Sequence, residues 1–179
     1  MTEYQHMTPK KDPCVALARQ TIDLYVREGR VLRIPEDTPE ELLSARAGAF
    51  VTLYKNGQLR GCIGTISPVR KTLADEIIHN AISSSTEDPR FSPVTADELS
   101  DLVISVDVLG DAEPIESIEE LDPLRYGVIV TQRFRRGLLL PNLEGIDTPE
   151  EQVAIALRKA GIYGGEYKLE RFEVVRHKD

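Results

Sequence analysis

The sequence predicts an α+β fold assembled from two similar units of hairpin, helix and strand. Three observations carry this. Gly48 to Lys55 and Gln58 to Ile66 are strand-like runs joined by Asn56-Gly57, the strongest short hairpin signal. Strands stand before and after helices without strict βαβ alternation, which disfavours a doubly wound parallel sheet. The second half also echoes the first: Gly127-Val128-Ile129-Val130-Thr131 answers Gly48-Ala49-Phe50-Val51-Thr52, and a return strand, a helix and a strand follow in the same order.

Taken along the chain, Asp12-Pro13 starts a helix with an N-cap and a proline at its first position. Val15, Ala18, Ile22, Tyr25 and Val26 recur at helical spacing up to Gly29. Glu36 to Leu43 suits a short second helix. In the hairpin, an unbroken two-residue turn pairs Tyr54 with Leu59, Thr52 with Gly61 and Phe50 with Ile63. Leu53 with Arg60 and Val51 with Cys62 then share the other face. A helix of about Lys71 to Ser84 carries Leu73, Ile77, Ile78, Ala81 and Ile82 as its apolar stripe. Asp88-Pro89-Arg90-Phe91-Ser92-Pro93 is a fixed non-helical turn, because prolines bracket it. Leu102 to Leu109 is a buried strand. After a small helix at Ser117 to Leu121, the second unit repeats the plan. Arg136 to Leu140 is its return strand, Asp147-Thr148-Pro149-Glu150-Glu151 opens its helix, and Lys168 to Arg176 is its closing strand. The chain of 179 residues reads as one domain, with a core of about 13–177 and internal repeats of about 38–110 and 117–177.

Charge is unevenly spread. The net charge is −8, and residues 97–122 hold ten carboxylates with no Lys or Arg, so the remainder sums to +2. An acidic chain argues against bulk nucleic-acid binding, which rests on cations neutralising phosphates. The dense basic cluster Arg133, Arg135 and Arg136 around Phe134 reads as a solvated hairpin turn. Two cysteines, Cys14 and Cys62, are too few for a disulfide framework. The polar start from Met1 to Lys11 has no signal-peptide core, and no apolar run approaches membrane-spanning length. A cytoplasmic chain without a membrane segment is expected.

Leu59-Arg60-Gly61-Cys62-Ile63-Gly64 is the segment that stands out chemically. Two glycines three apart weaken a strand unless a bulge or a close approach needs them. A cysteine between them and beside an arginine can be a nucleophile. The structural alternative is a curved sheet with Cys62 as a small buried apolar residue. Asp88-Pro89-Arg90-Phe91 is the second segment. Its arginine could hold a carboxylate or phosphate, or it could simply brace Asp88. His6, His79 and His177 lie in separate elements, with no CxxC, HxxxH or HExxH, no GxSxG, no Walker-type loop and no GxGxxG. No metal or cofactor is expected.

Leu59-Arg60-Gly61-Cys62-Ile63-Gly64-Thr65, Asp88-Pro89-Arg90-Phe91 and Arg136-Gly137-Leu138-Leu139-Leu140-Pro141, in this order, resemble the AMMECR-type domain family. Its bacterial and archaeal members are called AmmeMemoRadiSam system protein A. The resemblance spans roughly residues 13–177, and Leu143 to Thr148 looks like the bacterial branch. It implies two repeats sharing one curved, barrel-like, mostly antiparallel sheet with helices packed outside. It also implies an accessory role beside MEMO-like and radical SAM proteins. The motif residues Arg60, Gly61, Cys62, Gly64, Asp88 and Arg90 carry over as candidate site residues, with Cys62 as the candidate catalytic one. Two other functions remain open: a thiol enzyme acting on a small anionic metabolite through Cys62, and a binding module using the acidic 97–122 stretch.

Overall fold

Asp12 starts the first helix, α1 (Pro13–Glu28): its side chain accepts from the N–H groups of Cys14 and Val15, and Pro13 sits where no amide bond is needed. Val15, Ala18 and Ile22 are buried along it. A short helix, α2 (Glu40–Ser44), precedes the hairpin of β1 (Ala49–Lys55) and β2 (Gln58–Gly64). Asn56 and Gly57 both take positive φ, 52° and 76°, as this two-residue turn requires. The computed structural model describes residues 11–179. The readings of His6 and of the polar start before Lys11 lie outside the described residues.

Helix α3 (Leu73–Thr86) begins at Thr72, whose hydroxyl accepts from the Asp75 N–H. It packs against α1, β1 and β2, so it is buried on more than one face. The expected apolar stripe from Leu73 to Ile82 is in the core. A second, polar stripe of Glu76, Asn80 and Ser84 is buried as well. Glu76 accepts from Thr65 Oγ1 at 2.6 Å and from the N–H groups of Val69 and Arg70. Asn80 donates to Ala49 O at 2.9 Å. At Ser84 the helix backbone closes directly on the hairpin, where a Cβ on Gly61 would lie 2.1 Å from the Ser84 carbonyl oxygen.

The remaining strands are β3 (Leu102–Leu109), β4 (Glu113–Ile115), β5 (Gly127–Gln132), β6 (Arg135–Leu139), β7 (Lys168–Phe172) and β8 (Val174–Lys178), with α4 (Pro149–Ala160) after β6. They form two four-stranded antiparallel sheets, ordered β2-β1-β3-β8 and β4-β7-β5-β6, and neither closes into a barrel. The chain divides into two compact units: one runs to Asp107 and takes in Arg176–Asp179, and the other is Val108–Val175. In the second unit α4 packs on β5 and β6, over a core of Val128, Val130, Leu139, Val153 and Ala156. Here too a return-strand glycine meets a helix carbonyl: a Cβ on Gly137 would lie 2.4 Å from Ala156 O.

Three expectations are corrected. The shared barrel-like sheet is replaced by two sheets, because the run from Lys168 to Arg176 is not one strand. It breaks at Glu173, whose carbonyl accepts from Gly110 N–H at 2.8 Å, and its two parts join different sheets. The small helix at Ser117 is a single 3-10 turn, Ile118–Glu120, closed by a Ser117–Glu120 capping box. The hairpin register also slips. Tyr54 pairs with Leu59 as expected, but beyond it Leu53 pairs with Gly61, Thr52 with Cys62 and Phe50 with Gly64. Arg60 is the extra residue of a bulge, so Cys62 moves from the Val51–Leu53 face to the Thr52–Tyr54 face.

Gly61→Ala is expected to destabilise the fold by about 1–3 kcal/mol, since neither backbone at this contact can yield freely. Gly164→Ala, where nothing lies within 4 Å, is the neutral control. Urea unfolding of both variants checks this, and equal stabilities would refute the close-packing argument.

Candidate functional site

As an edge strand, β2 presents backbone groups that its own sheet does not pair. The segment after α3 covers that edge. Asp88, 4% exposed, accepts from Cys62 N–H at 3.0 Å through Oδ2. The same carboxylate accepts from the Arg90 N–H at 3.0 Å, Nε at 3.1 Å and Nη2 at 2.8 Å. Arg90 Nη2 also donates to Cys62 O at 3.3 Å, so both backbone groups of Cys62 are held by this loop. The hydrogen bonds from Arg90 hold Asp88 well below the usual carboxylate range, outweighing burial, and Cys62 N–H adds to them. In turn Asp88 raises Arg90. The Arg90 side chain keeps 55% of its surface exposed, with its guanidinium 5.4 Å from the Phe91 ring centroid.

Arg60 does not join this group. Its Nε and Nη2 donate to Glu98 at 2.8 and 3.2 Å, and its Nη1 donates to Ser92 O at 2.9 Å. Glu98 is thereby lowered from about 4.5 to about 2, with Arg60 as the leading cause and smaller help from Thr95 and Lys55. Gly61 and Gly64 are packing positions: a Cβ on Gly64 would lie 2.3 Å from the Phe50 ring. The structure therefore brings Cys62, Asp88 and Arg90 together and turns Arg60 to the Glu98 side.

Cys62 is half-buried, with its sulfur 3.2 Å from Thr52 Oγ1. Tyr54 lies on the same face and is raised by burial first, then by Cys62. Asp107, 3% exposed, accepts from Arg176 Nε and Nη2 at 2.7 and 2.8 Å, and both bear on Tyr54. Thr52, Tyr54, Asp107 and Arg176 were not singled out from the sequence. The signal was present: Ser105 and Asp107 interrupt an apolar strand at a period of two, which marks a buried polar face. Cys14, by contrast, is buried, and its thiol is pushed up to about 12 by burial, then by Asp12 and Glu41.

Elsewhere the expected surfaces are modified. Of the ten carboxylates in 97–122, Glu98 and Asp107 are paired as above and Glu113 pairs with Arg171 at 2.5 Å. Glu120 accepts from the Glu116 and Ser117 N–H groups. At the basic turn of the second unit, Phe134 is 87% exposed, Arg135 donates to Gly161 O and Arg136 lies 3.8 Å from Glu170. Clefts of about 840, 640 and 450 Å³ in that unit share Tyr167 as a wall. No helix among the described residues is long and apolar enough to cross a membrane.

Comparison with known proteins places these features in a family context. A family model described as AMMECR1 matches residues 15–178. A Thermotoga maritima protein is 54% identical over 169 residues, covering 93% of this chain and 97% of its own length. A Clostridium acetobutylicum protein is 51% identical over 179 residues, covering 99% of this chain, which spans only 38% of that longer protein. The crystal structure of an uncharacterised Pyrococcus horikoshii protein superposes with a TM-score of 0.85 at 35% identity, over 91% of this chain and 88% of its own.

The Arg60–Glu98 pair gives a signed pH dependence. Because the folded value of Glu98 is depressed, its contribution is present above about pH 4.5 and lost as pH falls towards 2. Glu98→Gln is expected to lower stability at neutral pH by about 1–3 kcal/mol. It is also expected to flatten the decline below pH 4.5. Urea midpoints at neutral and acid pH for both proteins measure this, and parallel profiles would remove Glu98 from the account.

Proposed function

The chain belongs to the AMMECR1 family, and from that membership we propose that it is an accessory component acting with MEMO-like and radical SAM partners through the Cys62–Arg90 edge. One observation carries this reading. Asp88 and Arg90 hold both backbone groups of Cys62 while more than half of the Arg90 side chain faces solvent. Such an edge offers a fixed cation beside a half-buried cysteine, suited to a partner's carboxylate or to a small anionic ligand. Arg60 is left out of the binding group, since Glu98 satisfies it. The Clostridium relative is compatible with this, because its matched region is one part of a longer chain. We also read the two units as diverged repeats within one domain, supported by the glycine-on-carbonyl contacts at Gly61 and Gly137.

The thiol-enzyme reading has less behind it. A nucleophilic cysteine needs a base within hydrogen-bond reach. The hydrogen bonds of both described histidines run elsewhere, His79 to Asp75 O and His177 to Asp12. The acidic-stretch reading is weakened by the carboxylates already engaged within the fold.

The test is a titration of purified MEMO-like and radical SAM proteins against the immobilised chain. Arg90→Ala is expected to weaken binding by about 2 kcal/mol, roughly thirtyfold. Unchanged affinity in both Arg90→Ala and Cys62→Ser overturns the proposal. Loss only on charge reversal at Glu116, Glu119 and Glu120 transfers the interface to the acidic stretch. Alkylation at neutral pH tests the enzyme reading: a Cys62 rate far above that of an ordinary exposed thiol would favour it.

A further inference from the structure

Three donors of different chemistry meet where α1 begins and β8 ends. Asp12 caps α1, Cys14 lies in its first turn, and His177 arrives on β8 from 165 residues away in sequence. Their donor atoms, a carboxylate oxygen, a thiol sulfur and an imidazole nitrogen, all lie within 4.8 Å of one another. Bonds of about 2.0–2.3 Å in a tetrahedral site place such donors roughly 3.4–3.8 Å apart. Small side-chain rotations therefore suffice to close them on one ion.

We propose that Asp12, Cys14 and His177 form a binding site for a borderline divalent transition metal of the Zn²⁺ class, with water as the fourth ligand. The donor set selects the metal. Thiolate and imidazole favour Zn²⁺ or Co²⁺, whereas Ca²⁺ and Mg²⁺ require oxygen shells. The division of labour within Asp12 fits. Oδ1 is held by the helix amides of Cys14 and Val15 at 2.9 and 3.1 Å, which orients Oδ2 towards His177 at 2.7 Å. Glu41 adds negative potential at the thiol without joining the three. The side chains of His177 and Asp12 keep 26% and 30% of their surface, so water reaches the open position, while Cys14 is buried beneath. On binding, the Cys14 thiol proton passes to solvent as the sulfur–metal bond forms; His177 gives up its Nδ1 proton, to Nε2 through solvent or, from an imidazolium, to solvent, so that the Asp12–His177 hydrogen bond is replaced by one Nδ1–metal and one Oδ2–metal bond. No oxidation or reduction is involved. The ion then ties β8 to α1, a structural staple independent of the Cys62 edge.

The experiment is a Co²⁺ titration of the chain after dialysis against a chelator, followed by Zn²⁺ competition. Expected are about one equivalent bound, the intense d–d bands of tetrahedral Co²⁺ and a thiolate-to-cobalt charge-transfer band, all lost on adding Zn²⁺. Cys14→Ser should abolish the charge-transfer band and His177→Gln should weaken binding at least about tenfold. Asp12→Asn serves as the folding control, since asparagine caps helices as well as aspartate, and it should lose affinity while keeping the native circular dichroism. Absence of the charge-transfer band at saturating Co²⁺, or its persistence in Cys14→Ser, overturns the proposal. Arg90→Ala, which tests the partner edge, should leave Co²⁺ binding unchanged.

Discussion

The buried carboxylate of Asp88 is the constraint on which the site depends. An edge strand leaves amides and carbonyls without sheet partners, and a glycine-containing edge is especially free to pair with other chains. Asp88 settles this locally by accepting from the Cys62 amide and three Arg90 donors at once. Burying a carboxylate is tolerable only when its oxygens are satisfied by charged or backbone donors, and here both are. The loop is thereby laced to β2, and Arg60 extends the lacing through Ser92 O and Glu98. The prolines at 89 and 93 keep this stretch from continuing α3, so it lies along the strand. A half-exposed arginine beside a cysteine is the outcome of an edge-covering device. It is also the surface on which the functional reading rests.

The bulge at Arg60 has a geometric purpose that comparison of the two hairpins brings out. Gly61 pairs with Leu53, three residues before the turn at Asn56, and Gly137 pairs with Val130, three residues before the turn at Arg133. The first return strand carries one more residue between turn and glycine than the second. The bulge absorbs that residue and sets Gly61 under the Ser84 carbonyl, as Gly137 sits under that of Ala156. Close helix–strand approach thus fixes the register, and the register fixes which face Cys62 occupies. Shifting Cys62 to the Thr52–Tyr54 face takes it away from the apolar layer of Val51 and Leu53 and into polar company.

How much of this was legible follows from the range of the interactions involved. The helix start at Asp12-Pro13, the Asn56-Gly57 turn, the Leu102–Leu109 strand and the capped helix at Thr148-Pro149 depend on residues adjacent in sequence, and each was readable there. The register was not, because a bulge is set by the contact of Gly61 with Ser84, a residue on the next helix. The division of Lys168 to Lys178 between two sheets was hidden for the same reason, since no glycine or proline marks the break at Glu173. The partners of Asp88 and Arg90 were legible as types, while the capture of Arg60 by Glu98 required the fold of residues 92–98 to be known. The polar stripe on α3 was visible as Glu76, Asn80 and Ser84 at helical spacing. In sequence alone such a stripe reads as a water-facing surface, because polar helix faces ordinarily are solvated.

That stripe marks how the two hairpins differ in the way their helices hold them. Glu76 and Asn80 hydrogen-bond Thr65 and Ala49 O at the open end of the β1–β2 pair, and the Ser84 backbone packs directly on Gly61 in mid-strand. In the second unit Gln152 donates to Tyr126 O, and the residue after the close-packed glycine is Leu138, 7% exposed, in place of a cysteine. The two hairpins share a packing solution, yet only one places a thiol, a bulge and a charged loop along its return strand. Packing alone demands the glycine in both places and says nothing about its neighbour. Cys62, with Asp88 and Arg90 around it, is therefore the feature that close packing does not account for.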